Sequence, residues 1–275
     1  MIRKIRLGTT GIHVVLIIGA CTMVIPFIWM ILTSFKTMPE SIHVPPIILP
    51  SHWQWKNYVT VWTSLPFSNL YFNTIVSALA KTIGQLLLAS MAAYAFARIR
   101  FFGRSFLFVM CLSVLMIPAQ VFLIPQYLIM KHLHELNSIY ALILPGLFSA
   151  MATFFLRQFF MTIPKELDES ARLDGCNHWQ IYWKIMLPLC RSGLIAQGIF
   201  TTLWSWNDLM WPLIVNTSSN KLTLTAGLSL LQGQYYTSFP EQMAGTMLST
   251  IPMLVIFIIL QRQFIEGIQL TGSKG

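Results

Sequence analysis

Leu7-GTTGIHVVLIIGACTMVIPFIWMILTS-Phe35 sets the architecture: 29 consecutive residues carry no Asp, Glu, Lys or Arg. A helix crosses a bilayer with about 20 apolar residues, so this run is long enough to span. Beyond it, three more charge-free runs follow, Ser105–Met130 (26 residues), Leu136–Leu156 (21) and Gln242–Gln261 (20). Two further apolar segments hold one ionisable group each: about residues 73–96 with Lys81, and about 194–215 with Asp208. The expectation is six transmembrane helices. Long unbroken apolar runs do not suit a barrel, whose strands alternate over about ten residues.

Composition agrees. Of 275 residues, 55% are hydrophobic and 10% charged, with a mean hydropathy of +0.65. A soluble domain carries about 25% charged residues and could not cover this much apolar surface. A water-soluble enzyme, a disordered chain and a nucleic-acid binder are thereby excluded. The net charge of +9 reads instead as bases gathered on the cytoplasmic side of a membrane. With six spans, thirteen of the 18 bases fall on the side of both termini, four on the other, and Lys81 inside a span. Both termini are therefore expected in the cytoplasm. The basic start before the first run resembles a signal peptide. The run is long enough to span and no small-x-small cleavage pattern follows, so an uncleaved first helix is expected.

The expected organisation is a cytoplasmic N-terminus (1–11), a first span (12–35), an extracytoplasmic loop (36–70), a core of five spans (71–265) enclosing a cytoplasmic loop (157–191), and a cytoplasmic tail (266–275). The outer loop combines Pro39, Pro45, Pro46, Pro50 and Pro66 with Trp53, Trp55 and Trp62. It reads as a turn-rich segment at the headgroups, with a binding surface as the alternative. Cys21, Cys111, Cys176 and Cys190 match no metal or disulfide spacing and are expected as free thiols.

The inner loop reads Ile163-PKELDESARLDGCNHWQIYWKIMLP-Leu189. Pro164 suits the first turn of a helix, and Glu166, Asp168 and Glu169 suit its positive N-terminal end. Gly175 suits a left-handed stop, and Asn177 with Gln180 a capping box for a second helix. Pro188 ends or bends that helix. From Pro164 to Asp174 there are four acids and two bases. An acidic helix is a poor fit to an anionic lipid surface, so a protein partner is the better reading.

Glu169-Ser170-Ala171-Arg-Leu-Asp174-Gly175-Cys, with Leu187-Pro188 eleven residues on, resembles the EAA loop of permease subunits in ATP-binding-cassette importers. Ser170 and Cys176 stand where that pattern has alanines, and both are small. Ala92-Ala-Tyr-Ala-Phe-Ala-Arg98, Ile117-Pro-Ala-Gln-Val-Phe-Leu-Ile-Pro125 and Trp206-Asn-Asp-Leu-Met-Trp-Pro212 resemble the family's second, third and fifth spans. The ending, from Gln261-Arg to Gly267-Ile-Gln-Leu-Thr-Gly-Ser-Lys-Gly275, is similar to the carbohydrate branch, in particular the smaller permease of maltose-type systems. The resemblance implies an all-α membrane protein of six transmembrane helices with a cytoplasmic coupling-helix loop, in a bacterial or archaeal cytoplasmic membrane. It implies a second permease subunit as heterodimer partner, a cytoplasmic ATPase dimer that holds ATP and Mg, and an extracytoplasmic solute-binding protein. This chain itself would hold no cofactor and no metal. The implied ATPase-docking residues are Glu169, Ser170, Ala171, Asp174, Gly175, Leu187 and Pro188. The tail residues Leu270, Gly272, Lys274 and Gly275 would contact the ATPase. The implied solute is a sugar or oligosaccharide, with a polyol, sialic acid or glycerol phosphate as alternatives.

For the pathway, Asp208 is the one acid inside a span and needs water or a polar partner. With Asn207 and Trp206 it is a candidate solute contact; an interhelical hydrogen bond is the other reading. Lys81 reads as snorkelling to the outer surface. Pro118 and Pro125 around Gln120 suggest a kinked helix, lining the pore or simply packed. Ala89, Ala93 and Ala97 form a small-residue packing face. His132, His134 and Glu135 read as a solvated turn. No G-x-x-x-x-G-K-[ST] phosphate loop and no G-x-S-x-G elbow occurs in the sequence, so energy is expected from a partner. An intramembrane enzyme and a stand-alone secondary transporter are the rival classes.

Overall fold

The computed structural model describes residues 4–233 and 237–272, with side chains for 11–233, 237–259 and 261. Among the described residues the chain is all-helical, apart from turns and one isolated antiparallel bridge between Gln232 and Thr237. In order come α1 (Lys4–Ser34), α2 (Met38–Ser41), α3 (Lys56–Ser64), α4 (Phe67–Arg98), α5 (Arg104–Ser113), α6 (Leu123–His132), α7 (Ile139–Ile143) and α8 (Ala150–Thr162). Then follow α9 (Glu166–Leu173), α10 (His178–Ile181), α11 (Leu187–Leu189), α12 (Arg191–Trp206), α13 (Met210–Val215), α14 (Leu224–Leu228) and α15 (Phe239–Gly272).

Among the described residues, three stretches are by themselves long and apolar enough to cross a membrane: Gly11–Ser34, Phe67–Arg98 and Phe239–Ile259. Two bent pairs raise the number to five, if each is one span: Arg104–Met116 with Ala119–His132, bent by 98°, and Ile139–Gly146 with Ala150–Thr162, bent by 45°. The expected fifth span is divided between α12, of 16 residues, and the short α13. The breaks follow from backbone chemistry. Ile117 is extended (φ −94°, ψ 128°), as a residue before proline prefers, and Pro118 has no N–H to continue the ladder. The kink expected around Pro118 is thus a complete break.

The chain divides into two compact units. The first holds residues 1–66 and 228–252. There the Phe35 ring meets Trp53 and Trp55 at centroid distances of 5.0 and 4.7 Å. Asn57 donates to the carbonyls of Ser34 and Lys36, and Ser34 Oγ lies 2.7 Å from Tyr58 Oη. These contacts order the proline-rich loop onto the end of α1. Glu40 adds a clamp, accepting from the N–H groups of Thr37 (2.8 Å) and Ser51 (3.0 Å) and from the Ser51 hydroxyl.

The second unit holds residues 67–227 and 253–275, and α4 is its central post. The alanine face meets α8: Ala89 and Ala93 are buried among Ala152, Leu156 and Phe160, with Ala97 partly buried beside them. Small side chains let the helices approach closely, and dispersion then holds them. Toward α12, the hydroxyls of Thr82 and Thr202 lie 3.0 Å apart. Outward-facing positions such as Phe72, Leu79 and Ile83 are apolar and exposed, as lipid contact requires.

Candidate functional site

The segment after α8 folds into an elbow through local rules. Helix α9 begins at Glu166, with Pro164 just before it and not inside its first turn. Its end is a Schellman turn: Cys176 N–H donates to Ala171 O (2.9 Å) and Gly175 N–H to Arg172 O (3.0 Å). Gly175 takes φ +81°, where a side chain would strain the backbone. Asn177 and Gln180 form the reciprocal capping box of α10. A π-turn over Tyr182–Met186 then leads into α11, where Pro188 lies in the first turn.

Glu169, Ser170, Asp174, Gly175 and Pro188 are exposed on this elbow, Leu187 is half-buried, and Ala171 is turned into the chain's own core. Leu173 is 89% exposed beside Asp174, an apolar side chain held out among charges. The elbow is anchored by a residue that the sequence marks only as a helix-end acid. Asp168 is buried and pairs with Arg98 at the end of α4, 3.2 Å away. The Arg98 guanidinium also donates to the carbonyls of Phe160 and Ile163, at the end of α8. Burial pushes the Asp168 carboxyl up, while the Arg98 charge beside it pulls the other way. One guanidinium therefore joins α4, α8 and α9.

Near the middle of α4 the unit holds a cleft of about 1180 Å³ between α4, the start of α8, and α12. Lys81 does not snorkel. It is 8% exposed, and its Nζ lies 3.6 Å from Asp208 Oδ2. The partner sits in the break between α12 and α13, where Asp208 Oδ1 also accepts the Trp211 N–H (3.4 Å) from the first turn of α13. Gly146 leaves room for the lysine stem, since a Cβ there would fall 2.9 Å from Lys81 Cδ. Beside the pair, Thr201 Oγ1 donates to Gln85 Oε1 (2.7 Å), and Gln197 Nε2 donates to Thr201 Oγ1 (3.2 Å).

The structure thus brings Asp208 and Asn207 to the cleft. Trp206 is buried behind it, and the neighbouring Trp204, 80% exposed, lines it instead. Gln120 is exposed on the 3₁₀ turn Ala119–Phe122, away from the cleft lining. Gln85, Gln197, Thr201 and Trp204 carried no sequence signal beyond helical spacing. Leu270 and Gly272 lie in the last turns of α15, with side chains outside those described, and Lys274 and Gly275 lie outside the described residues. Among the described residues no group of three or more His, Cys, Asp or Glu could hold a metal.

Residues 85–269 match the model of the binding-protein-dependent transport system inner membrane component family. The chain belongs to that family. The permease is 36% identical over 255 residues to the arabinooligosaccharides transport system permease protein AraQ of Halalkalibacterium halodurans, covering 92% of this chain and 91% of that one. It is 33% identical to the sn-glycerol-3-phosphate transport system permease protein UgpE of Yersinia enterocolitica, covering 93% and 94% of the two chains. Its fold is shared with a chain of a bacterial ABC transporter involved in the import of the acidic polysaccharide alginate: TM-score 0.81, 22% identity, 96% and 99% coverage. The permease is the membrane component of its transport system and not the catalytic one.

Proposed function

We propose that this permease forms part of the path by which an ATP-binding-cassette importer moves a carbohydrate across the cytoplasmic membrane. The cleft carries the reading. It joins a charged pair, amides and hydroxyls to the exposed Trp204 ring at a break in the helix run. Aromatic faces with polar groups at their edge suit a sugar ring. The alternative of an interhelical bond for Asp208 is contained in this reading, since the pair both joins the helices and borders the cleft.

The elbow is the docking surface for a cytoplasmic ATPase dimer, which holds the ATP and Mg. Glu169, Ser170, Asp174, Gly175 and the protruding Leu173 present its outer face, with Leu187 and Pro188 at its return. Six spans, with both termini in the cytoplasm, place the elbow inside the cell, and the bent pairs and the α12–α13 break each count as one span. Residues 36–70 then lie outside, facing a solute-binding protein, and residues 266–275 reach the ATPase from Leu270 and Gly272 through Lys274 and Gly275. A second, different permease completes the pathway.

Affinity purification of the tagged permease should recover a second permease and an ATPase with vanadate-sensitive activity. Asp208→Ala should lower uptake of labelled sugar with the complex intact; full uptake by that variant refutes a pathway role.

A further inference from the structure

We infer that the cleft passes uncharged polyhydroxylated solutes and turns away anionic ones, because Lys81, the single cation among its described lining residues, is already paired with Asp208. This rests on the pathway reading above and adds the charge of the solute.

An anionic sugar or a phosphate ester needs a free cation or a set of converging N–H donors. Here the one lysine is 8% exposed, and its carboxylate partner has the more open side chain of the two, 27% against 10%. A solute entering the cleft therefore meets the acid before the base. An anion would have to strip Lys81 from Asp208 and leave that carboxylate unpaired beside a like charge. A neutral solute asks for nothing of the kind. Asn207, exposed at the cleft, offers an amide that both donates and accepts, matching hydroxyls that do the same, while Gln85 and Gln197, buried and bonded to Thr201, add dipoles without charge. Trp204 offers an apolar face for the C–H side of a sugar ring. The lining is thus dipolar and formally neutral.

The test uses the purified complex of both permeases and the ATPase, without the binding protein, so that only the membrane path selects. Binding of neutral oligosaccharides of two to four units is compared with galacturonates of the same length by calorimetry. A Ser149→Cys variant reports solute entry by protection of the introduced thiol from a thiol reagent. The wild type should favour the neutral series by about tenfold or more. Asp208→Asn keeps the shape and an oxygen for the Trp211 N–H but frees Lys81, and should lower that preference by about tenfold through gained uronate binding. Lys81→Gln with Asp208→Asn removes both charges and should restore the neutral preference, which separates charge from misfolding. Equal binding of both series by the wild type, with both protecting the introduced thiol, overturns the inference and leaves the pathway reading standing. An unchanged ratio in Asp208→Asn also overturns the inference. Failure of every solute to bind or protect overturns the pathway reading itself, and the inference with it.

Discussion

Helix α4 carries two ion pairs, Arg98–Asp168 toward the elbow and Lys81–Asp208 beside the cleft, and they are built differently. The first is short, at 3.2 Å, with side chains 4% and 11% exposed, and its guanidinium also binds two helix-end carbonyls. The second is 3.6 Å long, 10% and 27% exposed, and opens on a cleft. An Arg fork with several acceptors fixes geometry, whereas an ammonium on a flexible stem is a point charge that can be moved. One helix is therefore fixed to the elbow at its last residue and left adjustable near its middle, where the cleft opens.

The contrast is tested most severely at Arg98. Arg98→Ala should cost about 3–5 kcal/mol, because it leaves Asp168 buried and unpaired. Thermal unfolding of the purified complex measures it, and Arg98→Lys should recover only part. Lys81→Met should cost less, about 1–3 kcal/mol, since water in the cleft still reaches Asp208. Uptake should fall in that variant more than stability does. Equal unfolding losses at the two sites would dissolve the contrast.

Gly175→Val tests whether the elbow's turn matters apart from its anchor. A β-branched residue at φ +81° should cost about 1–2 kcal/mol and weaken ATPase co-purification. Unaltered ATPase recovery would count against the turn as part of the docking surface. At the cleft, Gly146→Ala should cost about 1 kcal/mol, as its Cβ pushes the flexible Lys81 stem. Its sharper readout is a shifted solute preference with the complex intact.

The smallest effect concerns a third carboxylate, held by neutral donors instead of a cation. Hydrogen bonds from Ser51 and from the Thr37 and Ser51 backbone hold Glu40 down to about 2, below its ordinary 4.5. A lowered carboxyl stabilises the folded loop above the ordinary value, and that contribution fades as pH falls from 4.5 toward 2. Tryptophan fluorescence from Trp53 and Trp55 should report loosening in that window. Glu40→Gln should flatten the titration; an unaltered curve would assign it to another group.

The elbow was legible because every device in it acts within a few residues. Asn177 and Gln180 cap each other three apart, and Gly175 closes a turn onto Ala171 and Arg172. The burial of Ala171 was not legible, because the motif's small residues serve two faces and only packing assigns them. The Lys81 pair is hidden from the sequence for a related reason. A lone lysine in an apolar run looks like a side chain seeking the nearest water, until another helix brings a carboxylate to it.

Read without coordinates, the residues already establish that the chain is helical, that it lives in lipid, and which local turns shape its elbow. Those follow from hydropathy and from hydrogen bonds that close over three to five residues. Which charges meet, where the helices break by 98° and 45°, and that the cleft's lysine is already engaged emerge only in three dimensions. Those depend on how α4, α8 and α12 pack, and packing joins residues whose separation along the chain carries no pattern.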